Sequence, residues 1–369
     1  MMQTRRNLLN LGLASGLGLL GLPPQALAAT GQTGQGSWHM PDEAEPHRAT
    51  WMSFGPREEI WGERLLEAVR LNLGSIARSI AAYEPVHMLV REEDQDLAYE
   101  TCGPKVQLHV REVDDLWMRD SGPVFVRNAQ GQRAAVDFNF NGWGKKQAHA
   151  HDAQVARFVA QQSGVPRLAT RLVQEGGGIE VDGQGTAIIT ESCVLNPNRN
   201  PGVGKAACET ELKRLLGIEK VIWLPGIAGR DITDGHTDFY ARFSSPGVVV
   251  AGFDADPESY DHAVTQKHLQ ILRAATDARG RKLKVMVLAG PADVRKAFKS
   301  DSFAAGYINF YVCNGAVIAP EFGDKRGDAN CRSLLQELFP KRDIVQLNID
   351  AVAAGGGGIH CTTQQEPAA

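Results

Sequence analysis

One short pattern recurs along the chain at a nearly fixed distance, and it constrains the fold more than any other feature. A glycine precedes a β-branched apolar run at 122–126, 185–189, 247–251 and 315–319, so the four glycines lie 63, 62 and 68 residues apart. Such short runs of Val, Ile and Ala suit buried strands better than helices. Helical patterns recur at matching intervals. Residues 64–83 carry Leu65, Leu66, Val69, Leu73, Ile76, Ala77 and Ile80 along one side, the stripe of a helix that packs on a sheet. Weaker stripes run over 153–162, 206–216, 260–275 and 328–339, and further strands are expected at 86–90, 221–224, 283–288 and 344–347. Each unit reads as strand, helix and further strands, and about five fit between Trp38 and Pro367. Five like units could close into a ring of blades, which would protect most strand edges. An open α/β sheet with accidental periodicity is the competing arrangement. No flexible linker interrupts 38–369, which reads as a single α/β domain.

The N-terminus has a different character. Arg5 and Arg6 open a cationic segment, a Gly-interrupted apolar stretch follows to Leu22, and Ala26-Leu27-Ala28 gives a small-x-small cleavage pattern. That order is expected of a secretory signal peptide over 1–28, and the paired arginines point to the twin-arginine export route and a periplasmic destination. A membrane anchor is the alternative, but the apolar stretch is shorter than the roughly 20 residues a spanning helix needs. Residues 29–37 read as a short Gly/Gln-rich linker. The formal net charge is −4, and removal of the two leader arginines makes the mature chain more acidic. That balance argues against a general nucleic-acid binder and suits a cationic substrate. The six cysteines are dispersed with no CxxC pair, so neither a zinc site nor a dense disulfide framework is expected.

Four places carry side chains suited to chemistry. Near the C-terminus, Gly355 to Gly358 lead through Ile359 and His360 to Cys361. Glycines allow backbone to approach a ligand closely, and the phosphate-loop patterns GxxxxGK[ST] and GxGxxG are absent. Cys361 is thus a candidate nucleophile, with a buried thiol after a tight turn as the plainer reading. A nucleophilic cysteine needs a base elsewhere in the chain. Asp234-Gly235-His236-Thr237-Asp238 offers one, and on a strand His236 and Asp238 would share a face. Trp117-Met118-Arg119-Asp120 places another carboxylate beside an aromatic ring. Glu175 precedes a Gly176-Gly177-Gly178-Ile179 run that echoes the C-terminal stretch.

Together these groups fit a guanidinium. That group is planar and cationic, and carboxylates bind it through paired, charge-assisted hydrogen bonds. Asp120 and Asp238 could hold its nitrogens while a Cys361 thiolate attacks the central carbon. His236 could protonate the departing ammonia and then activate water. The reaction needs no metal and no cofactor.

The motifs WMRDSGP, EGGG, DGHTD, YINFYVCNGAVIAPEFGD, LFPKR and GGGGIHCTTQQ resemble, in order and over nearly the whole mature chain, the agmatine deiminases within the wider family of guanidino-modifying enzymes. The resemblance implies a five-bladed α/β propeller of the pentein type with its site at the centre of the ring. It implies Cys361 as nucleophile, His236 as general acid/base, and Asp120 and Asp238 as guanidinium ligands. It also implies Glu175 as a support for charged His236 and Trp117 as a substrate-packing ring. The reaction it implies converts agmatine and water to N-carbamoylputrescine and ammonia. Ile232 and Asp234 depart from the family's usual acid and Asn, which bears on the far end of the substrate. The alternatives are an exported deiminase of peptidyl arginine, an amidinotransferase and a guanidino-binding protein.

Overall fold

Among the described residues, sixteen strands fall into five separate sheets, and the sheets share one plan. The computed structural model describes residues 37–300 and 302–369, so the expected signal peptide over 1–28 and most of the linker over 29–37 lie outside the described residues. The chain enters through β1 (His47–Phe54), β2 (Val86–Val90) and β3 (Val106–Val110), then makes β4 (Val124–Arg127), β5 (Arg133–Asp137) and β6 (Arg167–Ala169). The next sheets are β7 (Ile179–Val181), β8 (Thr186–Thr190) and β9 (Lys220–Leu224), then β10 (Ala241–Ser245), β11 (Val248–Phe253) and β12 (Lys284–Ala289). Next come β13 (Tyr311–Cys313), β14 (Ala316–Glu321) and β15 (Asp343–Asn348), and last β16 (Gln364–Pro367).

In the second to fifth sheets, the first two strands pair antiparallel and the third returns parallel to the second. A parallel return needs a crossover, and a helix supplies it. The first sheet follows the same plan with a borrowed strand. Its order is β16-β1-β2-β3, with β16 antiparallel to β1 and the others parallel.

The crossover helices bury one face each. Helix Lys205–Leu216 packs Leu212, Leu215 and Leu216 into a cluster with Ala187 and Ile189 of β8. Helix His262–Ala274 packs Leu269 and Leu272 with Val249 and Ala251 of β11. Fully burying a Leu side chain contributes roughly 1.5–3 kcal/mol, so these stripes dock each helix on its sheet. Gly217, at φ 68°, ends the first of these helices in the left-handed conformation that favours glycine. Among the described residues, no helix is long and apolar enough to cross a membrane.

Two details differ from expectation. The first long helix runs Glu58–Ile80 and starts before residue 64, because a kink at Gly62 joins a leading turn that buries Trp61. The repeat also has a shifted first member. Strands β8, β11 and β14 are the middle strands of their sheets, but the run after Gly122 forms β4, an outer strand. The equivalent middle strand is β5, preceded by Gly131. Gly131, Gly185, Gly247 and Gly315 all have positive φ, at 76°, 96°, 82° and 140°, as the tight hairpin turns require, whereas Gly122 is at −74°. The shift was hidden because β5 reads Arg-Ala-Ala-Val-Asp, with little of the β-branched signal of its counterparts.

Candidate active site

Each of the five sheets is preceded by a turn that delivers site residues at the same place, just ahead of its first strand. The turn Met118–Ser121 before β4 carries Asp120, and Glu175 precedes the Gly176–Gly178 turn before β7. The turn Thr237–Phe239 before β10 carries Asp238 and follows His236. Asn309 lies ahead of β13, and the turn His360–Thr362 before β16 carries Cys361. His236 and Asp238 thus sit in a turn, and not on the strand expected from their spacing. Asp234 and Gly235, at φ 62° and 87°, bend the chain there.

These turns bring the expected groups together. The Cys361 thiol lies 3.5 Å from Asp238 Oδ2. His236 faces Asp120 through Nδ1 at 3.7 Å and Glu175 through Nε2 at 3.3 Å. Asp120 accepts from the Trp143 indole at 2.9 Å and from the Gly177 amide at 3.2 Å. All five chemical side chains are buried. Gly177 makes this crowding possible, since a Cβ there would stand 2.6 Å from His236 Nδ1, 2.9 Å from Asp120 Oδ1 and 3.1 Å from Asp238 Oδ2. Trp117 packs against Trp61 with ring centroids 5.8 Å apart. Its ring lies over Gly357, where a Cβ would meet it at 2.2 Å. The C-terminal glycines therefore admit neighbouring side chains, Trp61 at Gly355, Trp117 at Gly357 and Asn309 at Gly358.

Charge is arranged around the cluster in two layers. Arg199 donates to both oxygens of Glu175, at 2.8 and 2.9 Å, and to Asp234 at 2.8 Å. Burial works against a charged Glu175, but the bonds from His236 and Arg199 outweigh it and hold its carboxyl below the usual range. Burial likewise opposes a charged His236, yet Asp120 and Glu175 help to hold its pKa well above the ordinary value. On the other side, His360 bridges two carboxylates, with Nδ1 at 2.7 Å from Asp238 and Nε2 at 3.0 Å from Glu43. Glu43 also meets Arg242 at 2.7 Å and Arg119 at 3.1 Å. Burial and those two guanidinium groups push the His360 pKa down. Glu43, Arg199 and Trp143 lie outside the quoted motifs, and Asn309 lies inside YINFYVCNGAVIAPEFGD without a side-chain type that points to chemistry.

Negative charge surrounds the Cys361 sulfur. Burial, then Asp238 and Asp120, push the Cys361 thiol well above its ordinary pKa. Burial also raises Asp120. Asp238 Oδ1 is buried with no hydrogen-bond partner among the described residues, and an unsatisfied buried acceptor costs about 1–3 kcal/mol. A planar cation with N–H donors would satisfy that oxygen and draw Cys361 and Asp120 toward their ionised forms. Glu175, Cys193 and His236 also have ligand-type atoms within 4.8 Å of one another. A metal ion there would compete with the Arg199 guanidinium for the charge of Glu175.

Comparison with known proteins agrees with this arrangement. Residues 39–367 match the family model of the Porphyromonas-type peptidyl-arginine deiminases. The chain belongs to that family. A relative from Streptomyces coelicolor, provisionally named an agmatine deiminase, is 43% identical over 338 residues, covering 90% of this chain and 99% of its own. The agmatine deiminase of Medicago truncatula is 35% identical over 366 residues, covering 90% and 96%. The solved agmatine deiminase of Enterococcus faecalis superposes with a TM-score of 0.84 at 33% identity, again covering 90% of this chain and 96% of its own. In this deiminase-family chain, the mixed α/β fold of five sheets is the frame that holds the cysteine, histidine and paired carboxylates.

Proposed function

We propose that this chain is an agmatine deiminase, a hydrolase of the guanidinium carbon–nitrogen bond that works through a covalent Cys361 intermediate. The observation that carries the reading is the buried, unpartnered Asp238 Oδ1 beside the Cys361 sulfur, with Asp120 close by across Gly177. Asp120 and Asp238 hold the guanidinium, and Trp117 packs beside it. Cys361 loses its proton to solvent as the cation enters, and its sulfur bonds to the central carbon. The departing nitrogen takes a proton from the His236 imidazolium as its carbon–nitrogen bond breaks, and it leaves as ammonia. Neutral His236 next removes one proton from water, whose oxygen bonds to the same carbon; the carbon–sulfur bond then breaks to regenerate the thiolate while the new hydroxyl gives its remaining proton to solvent and becomes the carbonyl. Glu175 holds the imidazolium between steps.

The names of the relatives support agmatine as the substrate. A second reading, deimination of peptidyl arginine, rests on the match to the Porphyromonas-type peptidyl-arginine deiminase family. The five sheets are read as blades of a closed ring, supported by the shared β16–β1 pairing. Export by the twin-arginine route to the periplasm rests on Arg5, Arg6 and the stretch that follows them. Incubation with agmatine, arginine and an arginyl peptide tests the substrate, with ammonia and carbamoyl products as the readout. Agmatine is expected to be turned over, and Cys361→Ala to abolish that turnover. Inertness toward agmatine, or an active Cys361→Ala, sinks the proposal.

A further inference from the structure

Four of the five pre-strand turns supply a group already given a role, and the fifth supplies Asn309. Its side chain is fully buried and clamps the nucleophile from two directions. Asn309 Nδ2 donates to the Cys361 sulfur at 3.2 Å, and Asn309 Oδ1 accepts from the Cys361 amide at 3.3 Å. The same Nδ2 lies 3.5 Å from the Asp238 carbonyl, and the Asn309 carbonyl accepts from the His360 amide at 3.2 Å. Room for the clamp comes from Gly358, where a Cβ would stand 2.4 Å from Asn309 Oδ1.

We propose that Asn309 is a catalytic residue of this site, its side-chain N–H stabilising the Cys361 thiolate while its carbonyl oxygen fixes the backbone that aims the sulfur. The proposal rests on Cys361 being the nucleophile. The two carboxylates that bind the substrate also oppose a second negative charge on sulfur. Asn309 is a neutral side-chain donor that contacts the sulfur directly, beside the Gly358 backbone amide, and a hydrogen bond to an ionised acceptor is roughly twice as strong as a neutral one. As the carbon–sulfur bond forms, the sulfur loses its charge and that bond weakens. Asn309 thus favours the reactive form most strongly just before attack.

Two uncharged variants remove the clamp. Asn309→Leu replaces the amide by an apolar side chain of similar size, and Asn309→Ala truncates it, so neither adds a charge beside the sulfur. In each, kcat for guanidino hydrolysis is expected to fall about tenfold, the loss of thiolate that a rise of about one unit in the thiol pKa brings. The pH midpoint for iodoacetamide alkylation of Cys361 is expected to rise by about one unit. Gly358→Ala, which pushes the amide away without altering it, should shift the alkylation midpoint in the same direction and covers the case in which an Asn309 variant fails to fold. An unshifted alkylation profile in the folded variants overturns the proposal, whether or not kcat falls, because a purely structural role would leave thiolate stability alone. An active Cys361→Ala would instead sink the underlying reading, so the two failures are distinguishable.

Discussion

Replacing Gly177 by Ala adds one methyl group and should disable the site. The backbone there does not have positive φ, so alanine brings no conformational strain of its own. What it brings is a Cβ placed 2.6 Å from His236 Nδ1, 2.9 Å from Asp120 Oδ1 and 3.1 Å from Asp238 Oδ2. Non-bonded heavy atoms settle at about 3.5 Å or more, so His236 must retreat by roughly 0.9 Å and the carboxylates by somewhat less. A misplacement of about 1 Å at reacting groups can cost on the order of 100-fold in rate, or about 2.7 kcal/mol of transition-state stabilisation. Ammonia release from agmatine should show kcat/KM falling by about that factor. Circular dichroism should be unchanged, because the added methyl disturbs only the site. Gly204→Ala is the control, since a Cβ there meets nothing within 4 Å, and it should leave the rate alone. A Gly177→Ala enzyme within about threefold of the parent, a difference below about 1 kcal/mol, would refute the convergence of these three side chains on one face of the glycine.

The remaining predictions concern the histidine and the arginine behind it. His236 has a raised pKa in the folded chain, so its charged form stabilises the fold fully below the ordinary value, and that contribution is lost as pH rises through the folded value. The same titration removes the acid for ammonia departure, so kcat/KM should fall along an alkaline limb. Glu175→Gln takes away one charged acceptor of His236 and should move that limb to lower pH; an unmoved limb in a pH–rate profile would contradict the pairing. Arg199→Met leaves Glu175 and Asp234 without their buried guanidinium partner. A broken buried ion pair costs about 3–5 kcal/mol, so thermal melting should fall by roughly 5–15 °C, and an unchanged melting temperature would count against a structural role for that network.

Local signals carried much of the architecture. The helices over Lys205–Leu216 and His262–Ala274 fall within a residue or two of their apolar stripes, and β2 spans the expected 86–90. These elements announce themselves because each buries one face or a continuous run. Cys361, His236, Asp238, Asp120 and Glu175 were legible because each sits in a short polar or Gly-rich motif. Asn309 lies in a quoted motif, Tyr-Ile-Asn-Phe-Tyr, but a neutral amide among core residues gives no sign of a chemical role there. Glu43 is 317 residues from His360, and nothing in its local sequence records that pairing. Gly131 was passed over for Gly122 because the strand after it is rich in alanine, a weak strand former.

The borrowed strand β16 has a consequence for the order in which the protein can be made. β1 emerges early in synthesis, but its antiparallel neighbour emerges only after β2 to β15. Until then that flank of the first sheet offers unpaired amides and carbonyls to any passing strand. Cys361 lies in the turn just ahead of β16, so the pairing that seals the flank also fixes the turn that carries the proposed nucleophile. A nascent chain halted before this point keeps an open strand edge and lacks Cys361 altogether.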